Sequence, residues 1–228
     1  MNHIRRAAYF NSSGATYLAA GEIGNAFRSF KTSLQCLAQA ILKVDEEPQP
    51  TNSETQVDSS EQISRVLPRS RLGPARQEEE IDGQPYLYSK GLVFYPNPTT
   101  TMADLTFYCS VVVFNLVLTY HRKNKVVKDR DLRKLLRLYE LCLQLIGEGA
   151  QSNQYDCGNI LLAAMNNKSV VHSELGEHAV ARRTMYHVFD VLQYPQRRPG
   201  SLELSEIEGI FLNVYLILIN GPQVAGAA

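Results

Sequence analysis

Cations crowd one stretch of the chain: Arg122, Lys123, Lys125, Lys128, Arg130, Arg133, Lys134 and Arg137. Such a run suits an acidic partner, a phosphopeptide or RNA. It suits a solvated turn and helix face, or the chain's own acidic stretches, equally well. Aromatic residues are not interleaved with it as base stacking requires, which argues against nucleic acid. The histidines, His3, His121, His172, His178 and His187, have no metal-ligand spacing. His172-Ser-Glu174 has the H-x-E form of a zinc deaminase, but no P-C-x-x-C follows it. The H-E-x-x-H, G-x-S-x-G, G-x-G-x-x-G and G-x-x-x-x-G-K-[ST] motifs are missing. The reading is therefore of a chain that is not an enzyme and needs neither cofactor nor metal.

The totals agree with an interaction role. The formal net charge is +0, so no whole-molecule field draws the chain to nucleic acid or an anionic membrane. With 44% hydrophobic residues in 228, it can bury a substantial core. Cys36, Cys109, Cys142 and Cys157 are scattered through apolar, helix-like stretches, which reads as free thiols in a reducing compartment. The first residues, MNHIRRAAYFNSSG, lack the apolar core of a signal peptide, so a cytoplasmic location is expected, with the nucleus as an alternative. Asn11-Ser-Ser and Asn167-Lys-Ser fit the glycosylation pattern but fall on expected helices and read as chance matches. The apolar runs Val111–Leu118 and Val214–Ile219 read as too short to span a bilayer.

The elements that would position any site are helical. Residues 3–20 and 22–43 read as a helix pair turned at Gly21, with Ala26, Phe27, Phe30, Leu34, Leu37 and Ile41 forming a stripe on the second helix. Small Gly14 opposite small Ala26 would let the backbones approach. From Asp45 to Gln84 the composition turns to Glu, Gln, Ser and Pro, which reads as a disordered insertion, 45–84. In 85–98, PYLYSKGLVFYPNP, Tyr86, Tyr88, Leu92 and Phe94 alternate, so an extended segment with one apolar side is expected. It reads as a strap over the helices or as an internal ligand in a binding groove. Thr101 with Asp104 looks like a helix cap. Helices then follow from Thr101 to about Tyr120, with the basic turn HRKNKVVKDR after it, and over 131–147 (stopping at Gly147 and Gly149), 154–174 and 177–193, with Gly176 at the last turn. Ser205 with Glu208 resembles a capping box for a final short helix, and 211–219 is ambiguous between helix and strand.

Three segments superimpose: YFNSSGATYLAAGEIGNAFRSFKTSL, VVFNLVLTYHRKN continued by LLRLYELCLQL, and AMNNKSVVHSELGEHAVARRTMYHVF. The pattern resembles the tetratricopeptide repeat, W-x2-L-G-x2-Y followed by a turn Gly and A-x3-F-x2-A. Gly14, Tyr17, Gly21, Ala26 and Phe30 match in the first copy, with Phe10 in the Trp place. Leu116, Tyr120 and Tyr139 match in the second, where Asn124 replaces the turn glycine. Gly176 and Ala181 match in the third, with His172 for Tyr and Met185 for Phe. The FNLxLxYH and LRKxLRLYEL segments and the small-residue tail look like a group of TPR-like proteins from diatoms, a likeness that brings no activity with it.

The resemblance implies one all-α domain: a TPR-like α-solenoid of about three helical hairpins (about 3–43, 101–147 and 154–194) and a C-terminal cap (about 201–220). Gly14, Tyr17, Gly21, Ala26, Phe30, Tyr120, Tyr139, Gly176 and Ala181 would pack the repeats. It implies a groove in which Asn115 and Asn167, with Asn11 one place earlier in its helix, bind the backbone of a ligand, since an amide both donates and accepts. A local polar contact between helices is the plainer reading of the same residues. The cations of a carboxylate clamp are missing, because Val111 and Ala163 stand where they would be. The expected function is a non-catalytic adaptor or scaffold that binds an unidentified protein or peptide through Asn115, Asn167, Asn11, Arg122 and Lys123. A self-assembling homo-oligomer is the first alternative, and RNA binding through 122–137 the second.

Overall fold

A computed structural model of the chain describes residues 2–46, 67–68, 85–96, 100–123, 129–150, 158–193 and 204–219. Among the described residues there are seven α-helices: α1 (His3–Ala19), α2 (Ile23–Glu46), α3 (Met102–Lys123), α4 (Asp129–Ala150), α5 (Gly158–Glu174), α6 (His178–Gln193) and α7 (Leu204–Val214), the last running into a π-helical turn (Tyr215–Ile219). The only pairing of strands among the described residues is a two-residue antiparallel ladder, β1 (Leu67–Pro68) with β2 (Leu92–Val93). The all-α expectation holds, and the ambiguous 211–219 stretch is helical.

The chain turns back on itself twice by the same device. Gly21 and Gly176 take φ of +76° and +74°, a region that costs residues with a Cβ much more than glycine. At each, the next amide closes the helix end: Glu22 N–H donates to Tyr17 O at 2.8 Å, and Glu177 N–H to His172 O at 2.8 Å. α1 thus packs on α2 and α5 on α6. α3 packs on α4, α2 on α3 and α4 on α5, so consecutive helices are layered. The odd-numbered helices also meet one another, α1 with α3, α3 with α5, and α5 with α7. Thr101 and Asp104 form the expected cap of α3: Thr101 N–H donates to Asp104 Oδ2 at 2.5 Å and Asp104 N–H to Thr101 Oγ1 at 3.2 Å.

Several expectations are corrected. α4 runs through Gly147 and Gly149 to Ala150, because the helix has no need of a left-handed stop there. α7 already includes Leu204, so Ser205 lies inside its first turn and not at its cap. α2 continues to Glu46, past the expected start of the insertion, and Leu67–Pro68 is paired rather than disordered. The rest of the expected insertion, 47–66 and 69–84, lies outside the described residues, as do 97–99, the 124–128 turn, 154–157 and Cys157. Cys36, Cys109 and Cys142 are buried free thiols. Burial pushes the Cys109 thiol up to about 11 and Cys142 to about 12.

The repeat-packing residues divide. Ala26, Phe30, Tyr139 and Ala181 are fully buried. Tyr120 is half-buried and donates to Asp131 Oδ1 at 3.1 Å. Tyr17 is 37% exposed and is no core residue. Among the described residues the neighbours of α1 are chiefly α2, α3 and β2. The nearest atoms to a Cβ at Gly14 would belong to Phe30, at 2.5 Å from its Cε1, so Gly14 makes room for that ring rather than chiefly for Ala26. Phe30 is fully buried. Gly14→Val is expected to destabilise by ~1–3 kcal/mol through overpacking. A thermal scan should show Tm lower by roughly 3–10 °C for a chain of this size.

Helix α3 is the hub. Asp104, Leu105, Phe107 to Phe114, Asn115, Val117 to Thr119 and His121 are all buried. The 22-residue helix is long and apolar enough to cross a membrane by those criteria, contrary to the expectation from its short apolar run. Its most apolar stretch is 78% buried inside the fold. The helices on either side cover part of that surface, and the extended segment covers another part.

Candidate peptide groove

Residues 85–96 run extended across the faces of α1, α3, α5 and α7, as the alternation in that stretch predicts. Tyr88, Leu92, Val93 and Phe94 are buried, and Tyr86 is half-buried against the core residues on both sides of it. Phe94 stacks on Tyr108 with centroids 4.4 Å apart, and Tyr88 tilts against Phe114 at 6.0 Å. Gly91 is a close approach: a Cβ there would stand 3.0 Å from both Cα and Cβ of Ala15. Tyr86 lies over Gly209 in the same manner, its ring 2.5 Å from where a Cβ would be.

The backbone of the strap is held by asparagine side chains. In an extended residue the N–H and C=O point to the same edge, and a primary amide offers one acceptor and one donor at matching spacing. Asn115 Oδ1 accepts Leu92 N–H at 2.9 Å and its Nδ2 donates to Leu92 O at 2.7 Å. Asn167 holds Tyr88 in the same way, at 2.8 and 3.0 Å. Asn213 holds Tyr86, at 2.7 and 2.6 Å.

Two further asparagines brace these three. Asn11 Nδ2 donates to Leu92 O at 2.9 Å, and its Oδ1 accepts from Asn115 at 2.9 Å. Asn166 Nδ2 donates to Tyr86 O at 3.1 Å, and its Oδ1 accepts from Asn213 at 2.8 Å. The same two-amide clasp is thus built twice, once by α1 with α3 and once by α5 with α7. All five asparagines are fully buried.

Asn11, Asn115 and Asn167, singled out from the sequence, are therefore brought together along one segment of the chain itself. Asn166 and Asn213 were not singled out. Their signals were the Asn166-Asn167 doublet and the likeness of Phe-Leu-Asn-Val, ending at Val214, to Phe-Asn-Leu-Val, ending at Val117. Arg122 is not in the groove: its Nη1 donates to Leu18 O at 3.1 Å, satisfying a carbonyl at the end of α1. Lys123 is exposed at the end of α3. Of the remaining described cations, Arg133 pairs with Glu177 at 3.2 Å and Lys134 with Asp131 at 3.3 Å, while Arg130 and Arg137 are exposed.

One charge pair joins the strap to the cap. Lys90 Nζ lies 3.1 Å from Glu206 Oε1, and the Glu206 side chain is 1% exposed against 32% for Lys90. Behind the groove, the buried Tyr139 hydroxyl lies 3.2 Å from His121 Nδ1. Burial holds the His121 pKa down at about 4, below the ordinary imidazole value of 6.5, so the ring is neutral at pH 7. The unfolded chain takes up this proton near pH 6.5 and the folded chain only near 4. The stability contribution is therefore whole above pH 6.5 and is lost as pH falls to 4. Acid titration of the wild type should show a loss of about 3 kcal/mol across that window, absent in His121→Phe, by denaturant melts at each pH.

Among the described residues no group of three or more His, Cys, Asp and Glu side chains is placed to hold a metal ion. No protein-family model, curated protein or solved structure matches the chain.

Proposed function

We propose that the chain is a TPR-like array of three helical hairpins and a cap, acting as a non-catalytic interaction module that holds an extended peptide backbone. The face for that peptide is lined by α1, α3, α5 and α7, and residues 85–95 occupy it in the free chain. The observation that carries this reading is the set of three carboxamides, each exchanging two hydrogen bonds with one residue of the strap. Such contacts address backbone, so they accept any extended segment that presents an N–H at those three places. The repeated glycine turns and the meeting of alternate helices support the repeat architecture.

The test is direct. A labelled peptide with the sequence of residues 85–95 is titrated into the full chain and into Leu92→Pro, whose strap has lost the amide that Asn115 accepts. Saturable binding to the variant, at least tenfold tighter than to the wild type, is expected. No binding to a Leu92→Pro chain that keeps its helical circular dichroism would sink the groove reading.

A second reading is self-assembly through the C-terminal end. Tyr186, Leu212, Tyr215 and Ile219 there are 57%, 42%, 48% and 63% exposed, an apolar set on α6, α7 and the π-helical turn. Light scattering that finds a monomer at high concentration would remove it.

A further inference from the structure

The asparagine ladder alone is blind to sequence. Shifted by two residues, the strap would put Phe94 or Lys90 in the Asn115 clamp, and every clamp would still find an N–H. Register and selectivity must therefore come from side-chain contacts. Two of these stand on adjacent helices. At Gly91 a Cβ would lie 3.0 Å from both Cα and Cβ of Ala15, and 3.5 Å from Leu18 Cδ2. Ala15 and Leu18 are buried, and α2 backs α1, so the helix has little freedom to give way. At Phe94 the ring stacks on that of Tyr108 of α3, with centroids 4.4 Å apart and planes at 13°. Both rings are buried, and the Tyr108 hydroxyl donates to Tyr95 O at 3.5 Å. A two-residue shift would bring Val93 against Ala15 and Pro96 onto Tyr108, or else Ser89 and Leu92.

We infer that Ala15 and Tyr108 set the sequence the groove accepts. Ala15 reads a glycine at the residue before the Asn115 clamp, and Tyr108 reads an aromatic ring three residues after that glycine. The ligand class is an extended segment of another protein, of the form Gly-aliphatic-x-aromatic, which takes the place of the strap. The aliphatic residue is the one in the clamp, where Leu92 is fully buried. This deepens the peptide-binding reading and rests on it. The argument for that occupant is the strap already seated on the same helices, which fills both places at contact distance. Its tether gives it an effective concentration of millimolar order, so a free segment that misses either contact competes poorly for the clamps. A side chain at the glycine place is a steric penalty against wrong segments, and the stacked ring is a gain for right ones.

The experiment uses the full-length Leu92→Pro chain and the labelled 85–95 peptide, with variants of each. Gly91→Val in the peptide should weaken binding roughly tenfold or more through overpacking against α1. Phe94→Leu should weaken it roughly fivefold through the lost stack. Each loss should depend on one residue of the protein. Ala15→Gly withdraws one of the two crowding atoms, so it should shrink the penalty on a Gly91→Ala peptide by roughly threefold. Tyr108→Leu should abolish the preference for Phe94 over Leu, whereas Tyr108→Phe, which keeps a ring to stack on, should retain it. A merely structural role for either residue would weaken all peptides alike and overturn its part in the reading. If Tyr108→Leu fails to fold, the Phe94→Leu peptide on the parent chain decides the aromatic place. Equal binding of all peptides to the parent chain would overturn the glycine–aromatic inference and leave the backbone groove standing. Absence of binding by every peptide, the native one included, would instead bring down the groove itself. Dimers that form as the strap is released, and that the peptide does not dissociate, would place a second copy's strap in the groove and overturn the assignment to another protein.

Discussion

Replacing both Asn115 and Asn167 by Ala should unfasten the strap and destabilise the whole chain. Each substitution strips one buried N–H of its acceptor, at Leu92 and at Tyr88. The Tyr88 carbonyl also loses its donor, while the Leu92 carbonyl keeps Asn11. Two orphaned buried donors, the lost bonds and the Asn11 Oδ1 that loses its Asn115 donor together amount to about 4–8 kcal/mol. For a chain of this length that lowers Tm by roughly 10–25 °C. The single substitutions should fall unevenly, because Asn11 backs up Asn115 at one carbonyl, whereas Asn167 is the amide donor to Tyr88 O. Asn115→Asp provides the internal check. Its carboxylate can accept Leu92 N–H but repels Leu92 O, so it should rescue little. A double variant melting within 3 °C of the wild type would show that the clamps do not bear the strap's stability.

The second large effect is local. Leu92→Pro removes one amide hydrogen from the strap, exchanges the buried Leu92 side chain for a smaller ring, and leaves all five asparagines intact. Asn115 Oδ1 then faces a ring carbon, in a site where Leu92 was fully buried. A loss of about 3 kcal/mol in the opening free energy of the strap corresponds to roughly 100-fold faster exchange. Hydrogen exchange should show that acceleration at the amides of Tyr86 and Tyr88, while amides in the middle of α3 and α5 keep most of their protection. Equal acceleration throughout would mean that strap and helices open as one unit, and that the groove never stands empty on a folded scaffold.

The helical turns were legible because their chemistry is local: Gly21 and Gly176 each take the positive φ that turns the chain at a helix end. The strap was legible as an extended segment from its alternation and its flanking prolines, and Asn11, Asn115 and Asn167 from their place in a repeat. What joins them was not legible. A carboxamide gives no sign in the sequence of whether it will meet a neighbouring helix or a backbone, and here Asn11 and Asn166 do both. Asn213 was hidden in a stretch where β-branched and aromatic residues obscured the helix. Lys90 and Glu206 lie on separate elements with no spacing to connect them, so their pairing is a property of the fold alone. Arg122 sat in a basic run that looked like one surface, yet it reaches across to a carbonyl of α1. Tyr17 matched a motif position, but among the described residues it is 37% exposed and outside the core.

The three clamps differ in how much chain must be made before each can close. Leu92 and its asparagine are 23 residues apart, Tyr88 and its asparagine 79, and Tyr86 and its asparagine 127. On a growing polypeptide the strap therefore fastens from its C-terminal end, and its first tyrosine, met at its carbonyl by Asn166 of α5, gains the Asn213 clamp only when α7 has emerged. A chain that stops short of Asn213 leaves Tyr86 and Lys90 without their partners on α7 while Leu92 is already seated. Completion of the last helix is thus sensed some hundred residues upstream, by the segment it locks in place.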